Sequence, residues 1–146
     1  MGELVIELEQ ACRSPVDGLW ATLLTPSLWW GEGVLLEPHS GGAFHEPWRD
    51  AEGEHHTRGQ VLAIEAPSRL RLSWRDDDWD FDTRVSFSLS GDATGSRIEL
   101  RHEGWQHAAA ERQVPLMHAH RGGWAMHLRN LVEHAEQTMG KGGGRR

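Results

Sequence analysis

The end of the chain carries the feature that most restricts its fold. Over His118 to Thr138, Trp124, Leu128, Leu131 and Ala135 recur at i, i+4, i+7 and i+11, so they share one face of a helix. Arg121, Arg129, Glu133 and Glu136 fall mostly on the other faces. No proline interrupts that span, and Gly140 stands beyond it as a stop signal. At about 1.5 Å per residue, some 20 residues reach roughly 30 Å, the width of a small domain. A helix of that length with one apolar stripe needs a broad apolar surface to cover it. His120 and His127 lie close to the same stripe, a hint that the buried face is not purely structural.

The upstream chain supplies such a surface. Leu4, Ile6 and Leu8 alternate with Val5, Glu7 and Glu9, which predicts a first strand. Ser14-Pro15-Val16-Asp17 is a helix start, with Ser14 as cap, Pro15 in the first helical position and Asp17 as a capping-box acid. Thr25-Pro26 repeats the signal for a second short helix ending near Trp29-Trp30-Gly31. From Leu35 to Glu103 the period becomes two. Phe44, Glu46 and Trp48 share a face after Gly41-Gly42, and Asp50 to Glu54 is a turn. Thr57 to Ile64 is a strand apolar on both faces, so its inner side is not assignable. Leu70, Leu72 and Trp74 alternate with charged or hydroxyl residues, as do Thr83, Val85, Phe87 and Leu89, and then Ile98, Leu100 and His102. Clean alternation between short turns means an antiparallel sheet wet on one side.

The pattern is therefore α+β: about seven strands in a curved antiparallel sheet wrapped around the long C-terminal helix, with two short helices after the first strand. Residues 1–139 read as a single domain, and residues 140–146 as a flexible, basic, Gly-rich tail. A formal charge of -7, with no basic patch before the tail, argues against nucleic acid. Cys12 is the sole cysteine, which excludes an intramolecular disulfide. No signal peptide or long apolar run is present, so the expectation is a cytoplasmic protein without membrane insertion.

Several stretches resemble one known family. Pro15-Val16 with Leu19-Trp20, Leu28-Trp29-Trp30-Gly31, Gly41-Gly42-Ala43-Phe44, and Gly59-Gln60-Val61 through Pro67, Arg69-Leu70 and Trp74 occur in order. His102-Glu103-Gly104-Trp105 and Gly123-Trp124 through Leu128 and Leu131 complete the set. Together, from about Leu4 to Gln137, they resemble the SRPBCC (START/Bet v 1-like) superfamily, and within it the family named after the activator of the heat-shock protein 90 ATPase. The resemblance implies a helix-grip fold with a cavity between sheet and C-terminal helix. It does not settle function, because such folds host ligand carriers, cyclases, hydrolases and co-chaperones.

Four polar residues break faces that should be apolar: Glu46, His102, His120 and His127. A buried polar group needs a partner or water, so they mark either a polar spot in a cavity or satisfied core residues. The expected ligand-binding set is Phe44, Glu46, Trp48, Leu72, Trp74, Val85, Phe87, Leu100, His102, His120, Trp124 and His127. No catalytic residue is assignable, and no cofactor is expected. No metal site is expected either. His55-His56 has no ligand-spaced Cys or His beside it, and His120 and His127 stand two turns, about 10 Å, apart. Asp76 to Asp82 mimics a calcium loop, but Phe81 replaces its glycine and Phe87 its bidentate glutamate, which leaves a solvated hairpin turn. The favoured function is binding of a small hydrophobic or aromatic ligand. The alternatives are an enzyme of the polyketide cyclase or hydrolase kind using cavity Glu or His as acid and base, and a co-chaperone-like module acting on a heat-shock ATPase. The last ranks lowest, for want of a second domain to clamp an ATPase. A homodimer is left open.

Overall fold

Alternating strands joined by short turns build one twisted sheet. The computed structural model describes residues 4–144, with side chains described through residue 138. Its strands are β1 (Val5–Cys12), β2 (Leu35–Leu36), β3 (Ala43–Asp50), β4 (Gly53–Glu65), β5 (Arg69–Asp76), β6 (Thr83–Asp92) and β7 (Gly95–Glu103). They pair antiparallel in the order β1-β7-β6-β5-β4-β3-β2. Two α-helices, α1 (Val16–Leu23) and α2 (Ala110–Gly144), and two 3-10 helices, Pro26–Leu28 and Trp105–His107, complete the described chain. The architecture is the α+β helix grip.

One face of the sheet is dry and the other wet. Ile6, Leu70, Leu72, Val85, Phe87, Ile98 and Leu100 are buried together with Trp124, Leu128, Leu131 and Ala135 of α2. Burying each such side chain stabilises the fold by about 1.5–3 kcal/mol, which is why the α2 stripe dictates the topology. The outer face carries ion pairs instead, Glu7 with Arg101, Glu9 with Arg97 and Arg71 with Glu103. Such exposed pairs add little stability, about 0–1 kcal/mol each. At Gly59 a side chain is excluded, because a Cβ would stand 1.9 Å from the Ser73 carbonyl oxygen on β5. Gly104 has φ 107°, a left-handed turn that swings the chain from β7 into Trp105.

The structure departs from the sequence expectations at several points. Ser14 does not cap α1: Pro15 holds the N-cap position, and no side chain bonds the first N–H groups. The second short helix is a single 3-10 turn, Pro26–Leu28. β2 is two residues long, too short to show a period. β4 has apolar residues on both faces because its register shifts between Val61 and Ala63, leaving Leu62 as the extra, exposed residue. α2 begins at Ala110, before Pro115, and its backbone runs past the Gly140 stop to Gly144. Pro115 stands inside α2, beyond its first turn, where it removes the i→i−4 hydrogen bond to the Glu111 carbonyl. The flexible tail expected over residues 140–146 is thus helical as far as Gly144, and residues 145 and 146 lie outside the described residues.

Candidate functional site

Three neighbouring strands place polar groups in one row across the inner face. Glu46 on β3 pairs with Thr57 on β4, and Thr57 pairs with Asp76 on β5. The middle of α2 lies over this row. Between them opens a cleft of about 270 Å³ lined by Glu46, Trp48, Thr57, Trp74, Asp76, Ala119, His120, Gly123, Trp124 and His127. A larger hollow of about 670 Å³ lies on the outer face, among Glu7, Glu9, Arg69, Arg71 and Arg101. Its walls are the ion-paired surface side chains, so it lacks the apolar lining of a small-molecule site.

Of the twelve residues expected to line a cavity, Glu46, Trp48, Trp74, His120, Trp124 and His127 line the cleft. Phe44, Leu72, Val85, Phe87, Leu100 and His102 are packed behind it, each no more than 2% exposed. The wide cavity contracts because indoles fill it. Trp30 inserts between Phe44, Trp74, Trp124 and His127, with ring centroids 4.8–6.0 Å away. Trp74 and Trp124 meet at 5.0 Å, and Phe87 packs on Trp124 at 5.7 Å.

The histidines separate by their partners. His102 is fully buried and fully satisfied: Trp124 Nε1–H donates to its Nδ1 at 3.0 Å, and its Nε2–H donates to Thr83 Oγ1 at 2.7 Å. Thr83 in turn donates to the Trp74 carbonyl at 2.9 Å. That pattern requires the neutral ring, and burial holds its pKa well below 6.5. His102 is therefore a core residue that orients two of the cleft's indoles. His120 donates from Nδ1 to the Leu116 carbonyl at 2.9 Å and accepts from Trp74 Nε1 at 3.3 Å. It too is neutral, with burial lowering its pKa against the raising effects of that carbonyl and of Asp76. His127 differs. Its Nδ1 is buried without a hydrogen-bond partner, and burial pushes its pKa down to about 4.

The carboxyls separate the same way. Asp76 Oδ1 accepts from Thr57 Oγ1 at 2.6 Å, while Thr57 accepts from Trp48 Nε1 at 3.0 Å. Burial raises the Asp76 pKa, countered by that hydroxyl and by His120. Glu46 is raised to about 7, first by burial, with the Trp30 N–H pulling it down and the Asp76 charge pushing it up. The Trp30 Nε1 lies near this carboxyl yet meets hydrogen-bond geometry with no group. Glu46 thus exchanges its proton near neutral pH inside an aromatic cleft, which suits hydrogen bonding to a ligand or acid–base work.

Sequence reasoning missed Thr57, Asp76, Ala119, Gly123 and the wedge Trp30. Asp76 was visible in principle, since it extends the inner-face series Leu70, Leu72, Trp74 by two. The stretch after it is solvated only at its aspartates, Asp77, Asp78, Asp80 and Asp82, which are exposed. Trp79 and Phe81 are buried, stacked at 4.7 Å, with Trp79 also 5.5 Å from the His120 ring. At the β3–β4 hairpin, Asp50, Glu52 and His55 come within 4.8 Å of one another, closer than the sequence suggested. Asp50 Oδ1 already accepts from the Glu52 N–H at 2.8 Å and lies 2.9 Å from His55 Nε2, which is turn chemistry on an exposed tip.

Comparisons with known proteins agree with this architecture. The family model described as Activator of Hsp90 ATPase homolog 1-like protein matches residues 13–136. Among solved structures, DynU16, a protein in the dynemicin biosynthetic locus, superposes with a TM-score of 0.73 at 17% identity, over 92% of this chain and 48% of that one. This chain thus spans about half the length of DynU16. CalU16 from Micromonospora echinospora gives 0.67 at 25% identity, over 88% and 71% of the two chains. The Aha1 dimer from Colwellia psychrerythraea gives 0.71 at 15% identity, over 90% and 96%. A search of curated proteins found no match. No helix among the described residues is long and apolar enough to cross a membrane.

Proposed function

The chain belongs to the Activator of Hsp90 ATPase homolog 1-like family, and on that footing we propose that it binds a small hydrophobic or aromatic molecule in the cleft between β3–β5 and α2. One observation carries this reading. The cleft is walled by Trp48, Trp74 and Trp124, carries the Glu46 carboxyl, and holds a His127 Nδ1 with no hydrogen-bond partner among the described residues. A mostly apolar pocket with a few unspent polar groups is the usual architecture of a small-ligand site. Unpaired buried polar groups are costly, about 1–3 kcal/mol each, and a ligand that satisfies them recovers part of that. The volume of about 270 Å³ suits one or two fused rings with short substituents.

Native mass spectrometry of freshly purified protein, followed by a thermal-shift screen of one- and two-ring aromatic fragments, tests the reading. A bound mass or a dose-dependent rise in melting temperature supports it, since a ligand that binds only the folded state must stabilise it. Silence across the panel refutes it.

A second reading rests on Glu46 alone. A carboxyl with a pKa of about 7 is poised as general acid or base, as a cyclase or hydrolase would need. Turnover of a bound fragment that vanishes in Glu46→Gln while binding persists would favour it over simple carriage.

A further inference from the structure

We propose that the cleft selects an organic ammonium, a protonated or quaternary amine carried on a flat apolar group. This names the ligand class for the binding reading above and rests on it. The charge balance of the walls points there first. Two carboxyls, Glu46 and Asp76, stand two strands apart in the cross-strand row, and no Lys or Arg lines the cleft. Asp77 and Asp78 follow Asp76 but already have cationic neighbours of their own, His55 at 3.6 Å and Arg112 at 3.3 Å, so the uncompensated charge is that of Glu46 and Asp76.

The remaining groups cannot supply the missing cation. His120 has both ring nitrogens engaged in the neutral form, and burial keeps the His127 ring neutral at neutral pH. Thr57 is likewise spent, accepting from Trp48 and donating to Asp76. Asp76 keeps its second oxygen, which no hydrogen bond occupies and which lies 4.0 Å from His120 Nε2. An anion entering here meets repulsion, and an apolar guest strips water from the carboxyls without compensating them. A cation does the reverse.

The rings supply the second argument. Trp48, Trp74 and Trp124 line one small space, Trp48 with one face stacked on His55 at 4.5 Å and Trp74 stacked on Phe44 at 5.5 Å, and indole is the aromatic group that attracts cations most strongly through its π face. An ammonium enclosed by indoles and countered by carboxylates is the arrangement by which proteins recognise alkylated amines. The flat apolar part of such a ligand stacks where the indoles leave room.

Matched probes decide the matter. Benzyltrimethylammonium and its uncharged isostere neopentylbenzene have the same shape and differ in charge; 3-phenylpropionate reverses the sign. Affinity is read from Trp fluorescence at fixed cosolvent and neutral pH, in the parent and in Glu46→Gln, with 2-naphthol as a neutral aromatic control. The ammonium should bind at least about tenfold tighter than the isostere, and the anion should be weakest. In Glu46→Gln the ammonium's preference over the isostere should fall to about threefold or less. If the isostere equals or exceeds the ammonium while 2-naphthol binds, the inference fails and the binding reading stands. If no probe binds, both fail. If the preference persists undiminished in Glu46→Gln, the assignment of the cation to this cleft is overturned.

Discussion

Glu46→Gln should stabilise the protein above neutrality and leave it unchanged in mild acid. The carboxyl moves from 4.5 to about 7 on folding because it is buried among indoles. The folded state therefore holds this proton more tightly than the unfolded chain does. The group's contribution is fully present below about pH 4.5 and is lost as pH rises through about 7. At about 1.4 kcal/mol per tenfold change in proton affinity, the loss comes to about 3 kcal/mol. Glutamine keeps the shape of the protonated acid and carries no charge at any pH. At about pH 8.5 the variant should exceed the parent by about 3 kcal/mol, or on the order of 10 °C in melting temperature. At about pH 4 the two should agree within about 0.5 kcal/mol. His127 runs the other way, its stabilisation present above about pH 6.5 and lost as pH falls to about 4, but it is common to both proteins and cancels in the difference. Urea unfolding followed by Trp fluorescence at the two pH values measures this. Equal stability at both, or a variant weaker at the higher pH, would refute the claim that Glu46 is a desolvated carboxyl.

Three further outcomes follow from the packing. Leu128→Asp should cost more than about 4 kcal/mol in a urea melt, because Leu128 is 2% exposed between helix and sheet, whereas exposed Arg129→Asp should stay within about 0.5 kcal/mol. His102→Leu should cost about 2–4 kcal/mol, since it strands the Trp124 N–H and removes the Thr83 partner; a neutral result would show that the His102 network contributes nothing. Gly122→Ala and Gly123→Ala meet nothing within 4 Å, so each should add about 0.5–1 kcal/mol of helix stability, but only the second, which lines the cleft, should weaken fragment binding in a titration.

The fold was legible because its two periods are clean. The α2 stripe gave the buried face residue by residue, and the alternation along β5, β6 and β7 gave theirs. β4 was not legible because a bulge changes its phase midway, which no single period can describe. Six of the ten cleft-lining residues were legible, three of them, Glu46, His120 and His127, as polar residues on apolar faces. The four polar residues on apolar faces differ in their surroundings: His102 is satisfied in the core, His120 is satisfied at the cleft, His127 keeps an unpartnered Nδ1, and Glu46 lies near the Trp30 N–H. Sequence period cannot distinguish them, since partnership is set by residues far along the chain, as Thr83 is for His102. Trp30 was missed as a site residue because it follows a one-turn helix and belongs to no repeat, yet its ring closes the depth of the cavity. Thr57 emerges only from strand register, which places it between Glu46 and Asp76.

The indole N–H signals give the most direct test of the cleft. Trp48, Trp74 and Trp124 donate to Thr57, His120 and His102 at the site, while Trp105 and Trp29 donate to backbone carbonyls away from it. In a ¹H–¹⁵N titration with one- and two-ring aromatic fragments, the signals of the first three should move together and saturate, with those of Trp105 and Trp29 nearly still. Saturable shifts confined to Trp105 or Trp29, or no saturable shift at any indole, would contradict ligand binding in this cleft.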